Sequence, residues 1–173
     1  IDLDVGDGEI HALVGLNGAG KTTLMNIVGG VVEADFGDVF FSGEKIKFYS
    51  PRQALEKGIY TFFQDPNYIN NISVAENIFF NKLPKNIAGA IDYAKLFSDA
   101  QNLFDAYGYN LDVTKKMSEL TIPQIYMVIL MRALVGDYTL FIMDEPMISL
   151  GYEEKTAYLN FMSEAKKKGK SII

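Results

Sequence analysis

The sequence predicts an α/β fold with a parallel sheet, a small antiparallel β part and an inserted helical subdomain. Three observations lead to this fold class. A glycine-rich loop separates an apolar run typical of a strand from a stretch typical of a helix, over residues 9–29. A second apolar run, residues 139–143, is continuous enough for a central parallel strand covered on both faces. Between the two runs, residues 65–135 carry mainly helical signals.

The glycine-rich loop fits G-x-x-x-x-G-K-[ST], the phosphate-binding P-loop. Glycines permit left-handed backbone angles and a close approach of the backbone, so that successive N–H groups form an anion nest. The following helix points its positive dipole end at the same phosphates. Lys21 can reach the β- and γ-phosphates, and the Thr22 hydroxyl can ligate Mg²⁺. The predicted nucleotide-binding residues are Gly15, Asn17, Gly18, Ala19, Gly20, Lys21, Thr22 and Thr23.

Two acids follow the second apolar run. Ligands of parallel sheets bind outside the carboxyl ends of the strands, which is where Asp144 is expected to hold Mg²⁺, the Walker B role. Glu145 is one residue further on and could polarise an attacking water. A solvated acidic turn after a core strand is the alternative, and the P-loop earlier in the chain makes it the weaker one.

Periodicity and turn residues predict the remaining elements. In chain order they are a hairpin-like pair over residues 1–14, the P-loop helix 22–29, a hairpin of 39–41 and 45–48, a short helix 51–57 capped by Ser50, a strand 59–63, helices 73–80, 92–107 and 123–135, the strand from 139, a helix 153–168, and the start of a strand at 170–173. We therefore expect a P-loop core of residues 1–64 and 136–173, with residues 65–135 as a helical subdomain. Because strand stubs rarely end a domain, both ends are expected to be truncated.

Composition bounds the function. The chain has 173 residues, 49% hydrophobic and 22% charged, which suits one globular domain. A net charge of -6 argues against generic nucleic-acid binding. The lack of cysteine excludes a disulfide framework and a thiolate metal site. No apolar run is long enough to span a membrane, and His11 is interpreted as an ordinary strand residue without a metal-ligand set around it.

The order of these motifs resembles the nucleotide-binding domain of ATP-binding-cassette (ABC) transporters. The resemblance rests on the P-loop, Gln64, residues 118–134 and the Asp-Glu-Pro at 144–146, and it covers essentially the whole chain. Residues 50–55, 58–59 and 73–78 make the chain most similar to the ATPases of bacterial sugar or nucleoside importers.

The resemblance implies an ATPase with ATP and Mg²⁺ as cofactors. It implies Glu145, Gln64 and Lys21 as catalytic residues, and Thr22, Gln64 and Asp144 as metal ligands. It also implies two partners, a second ABC ATPase domain and a membrane permease subunit, at the cytoplasmic face of the membrane. An adenine-stacking aromatic residue is expected before Ile1 and a switch histidine after Ile173, so the fragment alone is expected to be inactive.

The signature motif departs from the family pattern. The usual Leu-Ser-Gly-Gly-Gln stands here as Leu120-Thr121-Ile122-Pro123-Gln124. Thr121 keeps a hydroxyl, whereas isoleucine hinders close approach and proline has no N–H. Such a signature is similar to that of the first of two tandem domains. Gly151, at the end of the expected interface loop 147–151, stands where many relatives have Asp.

Two alternatives to a transport ATPase stay open. A soluble ABC ATPase of repair or translation is opposed by the lack of an added nucleic-acid-binding segment. A nucleotide-binding regulatory domain without hydrolysis is favoured by the altered signature and opposed by Lys21, Asp144 and Glu145. Among the aromatic residues of the helical insertion we expect most in the core and a minority in a groove for the membrane subunit; the candidates are Phe63, Tyr68, Phe79 and Phe80.

Overall fold

A computed structural model describes residues 1–63, 67–143 and 150–173 of the chain. Its regular elements, in chain order, are α1 (Lys21–Val28), β1 (Val39–Phe41), β2 (Glu44–Ile46), α2 (Pro51–Glu56), β3 (Ile59–Phe62), α3 (Val74–Ile78), α4 (Tyr93–Ala106), a 3₁₀ turn (Met117–Glu119), α5 (Ile122–Val135), β4 (Leu140–Met143), α6 (Tyr152–Lys167) and β5 (Ser171–Ile172). Within the described ranges, no helix combines the length and the apolar character that a membrane crossing requires.

The residues group into two compact units. Unit 1 comprises Ile1–Gln64, Asp137–Glu145 and Glu164–Ile173, and unit 2 comprises Asp65–Gly136 and Pro146–Ser163. The first turns of α6 therefore belong to unit 2 and its last turn to unit 1. The domain boundaries drawn from the sequence stay a prediction.

Unit 1 is built on a three-stranded parallel sheet with the order β3-β4-β5. β3 and β4 pair from Ile59 opposite Leu140 to Phe62 opposite Met143. The strand β4 is apolar throughout, Leu-Phe-Ile-Met, as a central parallel strand must be when both faces are covered. The predicted parallel sheet is confirmed, and the two strands nearest the expected site end at neighbouring residues.

One face of this sheet packs against α1 and α2. Alternate residues of a strand point to opposite faces of the sheet. The residues of β3 and β4 on this face form a buried cluster with one residue from α1 and one from α2. Its members are Met25, Ala54, Ile59, Leu140 and Ile142. Burying a side chain of this size contributes about 1.5–3 kcal/mol. Leu13, two residues before the glycine-rich loop, packs against the same cluster and so ties the loop to the sheet.

Aromatic rings cover the other face. The Tyr60 ring centroid lies 4.9 Å from that of Phe62, 4.9 Å from that of Tyr138 and 6.4 Å from that of Phe141. The Lys170 ammonium lies 5.9 Å from the Phe141 ring centroid and donates to the Tyr138 carbonyl. Burial of this lysine lowers its pKa. The sheet is therefore covered by an aliphatic cluster on one face and by aromatic rings on the other.

The end of α1 approaches β3 closely at Gly29 and the start of α2 closely at Gly30. An ideal Cβ on Gly29 would lie 2.7 Å from Thr61 Oγ1, and one on Gly30 would lie 2.7 Å from the Ser50 carbonyl oxygen. Gly30 also has a φ of +74°, which disfavours residues with side chains. The glycine pair therefore ends the helix and also allows it to lie directly on the strand.

The predicted hairpin is confirmed. β1 and β2 pair antiparallel, Val39 opposite Ile46 and Phe41 opposite Glu44. The two connecting residues, Ser42 and Gly43, have φ values of +50° and +79°. Positive φ at both central positions is the geometry of the type I′ turn that suits the twist of a hairpin.

The N-terminal residues form a turn, whereas the predicted hairpin over 1–14 and the strand over 9–14 are wrong. The Glu9 N–H donates to the Gly6 carbonyl at 3.2 Å. Among the described residues, pairing of this stretch is limited to an isolated parallel bridge between Ile10 and Ile172. The Ile172 N–H donates to the Glu9 carbonyl and the His11 N–H donates to the Ile172 carbonyl, each at 2.8 Å. Residues 11–14 have no strand partner in the part of the chain that the structure describes, so the single bridge does not extend into a ladder.

Unit 2 is helical, as predicted for this stretch. On α4, Leu96, Ala100 and Phe104 follow each other at intervals of four and are fully buried. Side chains from the other helices and the 3₁₀ turn complete this core; among them are Val74, Met117, Met127, Met131 and Phe161. The helices begin and end within two residues of the predicted bounds, which is the ordinary uncertainty of helix ends.

The short helix α3 is stabilised at its start by a capping box. The Glu76 N–H donates to Ser73 Oγ at 3.1 Å, and the Ser73 N–H donates to Glu76 Oε2 at 2.8 Å. Asn77 is buried and bonds both the N–H and the carbonyl of Ile69, at 2.9 and 3.0 Å. The stretch Ser73–Ile78 therefore fixes the chain that precedes it as well as the helix itself.

Candidate functional site

The glycine-rich loop has the backbone of an anion nest. Gly18 and Gly20 have φ values of +77° and +90°, in the left-handed region, and an ideal Cβ on either would meet no heavy atom within 4 Å. Open space at a left-handed glycine means that the glycine is required by the backbone angle and not by the packing of the protein itself. This is the arrangement that leaves room for a phosphate.

The loop runs directly into α1. The Ala19 N–H donates to the Leu16 carbonyl at 3.1 Å, which forms the tight turn, and the Leu24 N–H donates to the Gly20 carbonyl at 2.9 Å, which is the first bond of the helix. The amides that precede Leu24 at the helix start therefore lie in the loop, and the first amides of any helix have no acceptor within it. Together with the helix dipole they favour an anion here.

Lys21 lies across the mouth of this loop. Its ammonium donates to the Gly15 carbonyl at 2.9 Å and to the Leu16 carbonyl at 3.1 Å. Both acceptors are backbone atoms of the loop, so the charge is held beside the nest by the loop itself. A positive charge and a set of converging N–H groups are what a polyphosphate needs.

Three predicted site residues, Gln64, Asp144 and Glu145, lie outside the described residues, and their roles stay a prediction. The strands that precede them are described. Phe62 and Met143, the last residues of β3 and β4, are register partners, so the two strands end at the same edge of the sheet. Carboxyl ends of parallel strands are the usual location of ligands in α/β proteins.

The start of α5 carries the altered signature motif. The helix begins at Ile122, one residue before the predicted Pro123, and Thr121 is its N-cap. The Thr121 N–H donates to Gln124 Oε1 at 3.0 Å, and Ile122 is 64% exposed. One backbone amide at this helix start is thus engaged, one is missing at the proline, and a branched side chain stands where the family pattern has glycine.

His11 lies beside an isolated bridge and not in a strand, so its predicted place in a strand is wrong. Its Nδ1 lies 3.2 Å from Glu9 Oε1. The backbone N–H of Gly6, followed by this histidine, lowers the pKa of Glu9. Over the described ranges, no group of three or more His, Cys, Asp or Glu residues lies close enough to hold a metal ion.

Aromatic residues of the helical insertion are partly buried and partly exposed. Three lie in the core of unit 2, and two are about half exposed, Phe80 at 53% and Tyr93 at 48%. The buried ones are Phe104, Tyr107 and Tyr109. Of the other predicted candidates, Phe63 is 36% exposed, and Tyr68 and Phe79 are half-buried. The groove for a membrane subunit stays a prediction.

Some site-related features carry no local sequence signal. The close approach of Gly29 to Thr61 depends on how α1 lies on β3. The sequence shows only a glycine pair after a helix, which is a common signal for a helix end and does not indicate this contact. The bond between Tyr109 and Glu154 joins residues 45 positions apart. Neither can be found by motif or period, since each depends on the packing of distant segments.

The parallel sheet, the left-handed glycines and the lysine at the start of α1 define a P-loop protein of the α/β class. The family model described as "ABC transporter" matches residues 1–148. The chain belongs to the ABC transporter family.

Curated relatives of the chain carry names of sugar importers. It is 38% identical over 174 residues to the putative ribose/galactose/methyl galactoside import ATP-binding protein of Halalkalibacterium halodurans, covering 100% of the chain and 33% of that protein. It is 34% identical to the galactose/methyl galactoside import ATP-binding protein MglA of Clostridium tetani, covering 100% of the chain and 35% of that protein. The chain thus spans about a third of the length of these curated relatives.

Solved structures share the fold. The ADP conformation of MJ1267, an ATP-binding cassette of an ABC transporter, matches with a TM-score of 0.77 at 25% identity, over 99% of this chain and 71% of that one. The fold class predicted from the sequence is therefore that of the ATP-binding cassettes.

Proposed function

We propose that this chain is the nucleotide-binding part of an ABC importer ATPase, which binds Mg-ATP and hydrolyses it to drive uptake of a sugar or nucleoside. The P-loop carries the proposal: two left-handed glycines with open space before them, at the start of a helix, with a lysine ammonium held at the mouth. The names of the relatives support the sugar-import part.

The loop residues fit a triphosphate. Gly18 and Gly20 hold the left-handed backbone angles that the nest needs, and no heavy atom of the protein fills the space beside them. In the proposed complex the loop amides and Lys21 bind the β- and γ-phosphates and neutralise the charge that develops during transfer, which is most of the catalysis in this kind of reaction.

Magnesium would be held by oxygen ligands. A hydroxyl, a carboxylate and an amide oxygen are hard donors that suit this ion, and we assign them to Thr22, Asp144 and Gln64. The bound ion supplies further neutralisation of phosphate charge. Glu145 accepts the proton of the attacking water and Gln64 helps to orient that water.

The length of the relatives supports a second ATPase domain as partner. The chain covers 33% of the Halalkalibacterium relative and 71% of the solved cassette, so the relative has the length of about two such cassettes. The altered start of α5 has an exposed Ile122 followed by a proline, and we expect it to bind weakly the phosphate of a nucleotide held by the partner domain. We therefore propose that the P-loop of this chain works with the signature of the partner domain, beside a membrane permease.

One observation favours a second function, a regulatory nucleotide-binding domain that does not hydrolyse ATP. The same altered signature would leave the partner's phosphate site incomplete. With the partner's site silent, turnover at the P-loop of this chain distinguishes the two functions: the regulatory domain binds ATP there without hydrolysing it, whereas the proposed ATPase hydrolyses it there.

Nucleotide binding by the purified chain tests the proposal. We expect Mg-dependent ATP binding in a calorimetric titration, and loss of it in Lys21→Ala. The matched control is Lys57→Ala, which removes an exposed lysine paired with Glu44 at 2.8 Å in the same unit. Binding that is equally strong in Lys21→Ala and Lys57→Ala would contradict the assignment of the site.

A further inference from the structure

Glu154, in the first turn of α6, is bonded to a buried tyrosine of the segment after α4. The Tyr109 hydroxyl donates to Glu154 Oε1 at 3.0 Å, and Tyr109 is 4% exposed. Burial, followed by the bond to Glu154, raises the pKa of this tyrosine, which therefore remains a neutral donor. A hydrogen bond that ends on a carboxylate is among the stronger kinds in proteins.

Gly151, three residues earlier, lies against the same carboxylate. An ideal Cβ on Gly151 would be 2.7 Å from Glu154 Oε2. The φ of Gly151 is not in the left-handed region, so the backbone does not require glycine here. A side chain at this position would require Glu154 Oε2 to shift, and the other oxygen of the same carboxylate accepts the bond from Tyr109.

The start of α6 has two further attachments within unit 2. Leu150, directly before the glycine, is 6% exposed, and the side-chain amide of Asn160 donates to the Tyr107 carbonyl at 3.4 Å. The helix face that follows is buried through Ala157 and Phe161. The Tyr109–Glu154 bond is the attachment nearest to the N-terminal end of the helix, where the expected interface loop ends.

We propose that Tyr109 and Glu154 are positioning residues that fix the end of the interface loop at Leu150 and Gly151, and that position 151 is glycine to leave room for this bond. The effect on hydrolysis rests on the proposed function. The chain from Glu145 to Leu150 is five residues, which span at most about 17 Å. We expect loss of the anchor to weaken the contact of the interface loop with the partner domain, and hydrolysis with it.

Hydrogen exchange at the start of α6 tests the anchor without any reference to ATP. The Lys155 N–H donates to the Gly151 carbonyl at 3.0 Å and reports opening of the first turn. Tyr109→Phe keeps the ring and removes the hydroxyl, and we expect exchange here to be about tenfold faster. Glu154→Gln retains an acceptor and should stay close to the wild-type rate, as should Glu153→Gln, a matched change of an exposed acid in the same turn. Unchanged exchange in Tyr109→Phe would overturn the proposal.

A double-mutant cycle tests the role of Gly151. Gly151→Ala also changes the residue before α6, which has its own small effect on the helix. That effect is the same with or without the tyrosine hydroxyl, so it cancels in the cycle with Tyr109→Phe. We expect Gly151→Ala to accelerate exchange in the wild-type background and to add little in Tyr109→Phe. Additive effects of the two changes would overturn the assignment of Gly151.

Turnover by the full-length protein tests the consequence for hydrolysis. We expect Tyr109→Phe to lower kcat for ATP about fivefold with KM unchanged, because a positioning defect acts on the reaction step and not on nucleotide binding. Glu154→Gln keeps an acceptor for the Tyr109 hydroxyl and should retain most of the wild-type kcat. Faster exchange with unchanged kcat would overturn the link to hydrolysis. If the wild-type protein has no turnover, the proposed function fails, while the exchange experiment still decides whether the anchor exists.

Discussion

At the scale of single residues, Gly20 has a left-handed backbone angle and also lies in the proposed phosphate-binding loop. Its φ is +90° and the space in front of it is open. Gly37 offers the matched comparison, since its φ is +91° and its space is open as well, but it lies outside the P-loop. Alanine substitutions at the two glycines therefore distinguish an effect on the backbone, seen in the stability of the fold, from an effect on nucleotide binding.

We predict that Gly20→Ala and Gly37→Ala destabilise the fold equally, by about 1–2 kcal/mol for a side chain in the left-handed region. Only Gly20→Ala places a methyl group in the nest, so it alone should weaken ATP binding, by about tenfold or more. Urea denaturation and calorimetric titration of both variants measure the two effects. Equal loss of ATP affinity in both would show that the P-loop glycine acts through stability alone.

At the scale of elements, the capping box of α3 is a device whose contribution depends on pH. Burial would raise the pKa of Glu76, but the bonds from the Ser73 hydroxyl and N–H outweigh it, so the pKa lies below its usual value of 4.5. A carboxyl with a lowered pKa stabilises the folded state fully above 4.5 and loses this contribution as the pH falls through the lower, folded value.

We therefore predict that Ser73→Ala costs about 1 kcal/mol of unfolding free energy at neutral pH, and less at an acidic pH below the lowered folded-state pKa of Glu76, where the carboxyl is protonated in both states. Ser98→Ala, at an exposed position within α4, is the control and should change stability little at either pH. Urea unfolding at the two pH values gives the comparison. A loss in Ser73→Ala that is the same at both would mean that the serine acts without the carboxylate.

Elements with local signals were predictable, and elements that depend on distant partners were not. The Ser42-Gly43 turn, the apolar run of β4 and the Ser73 cap each follow from neighbouring residues. The strand expected at 9–14 was wrong because pairing there depends on Ile172, near the other end of the chain, and no local signal tells how far such pairing extends. For the same reason Tyr109 gave no sign of its bond to Glu154.

At the scale of the whole molecule, the proposed site is shared between domains. The P-loop of this chain is complete, whereas the start of α5 carries isoleucine and proline in place of the two glycines of the family pattern. The chain spans about a third of its curated relatives. Activity is therefore expected to belong to an assembly with a second ATPase domain.

We predict that the 173-residue chain alone has almost no ATP turnover, because the signature needed over its P-loop comes from the partner domain. Adding that domain should raise turnover, in proportion to complex formed. Phosphate release measured across a range of chain and partner concentrations tests this. Robust hydrolysis by the chain alone, independent of its concentration, would contradict the shared site.

The central claim is that this chain supplies the P-loop, the magnesium ligand Asp144 and the general base Glu145 of a hydrolysing site. Glu145→Gln keeps the shape of the side chain but cannot accept a proton. The most direct measurement is therefore ATP affinity and single-turnover hydrolysis of Glu145→Gln in the full-length protein, with Asp144→Asn as the comparison. We expect Glu145→Gln to retain affinity and to lose about 10²–10⁴-fold in rate, and Asp144→Asn to lose Mg-dependent binding as well. Near-normal hydrolysis by Glu145→Gln would contradict the account.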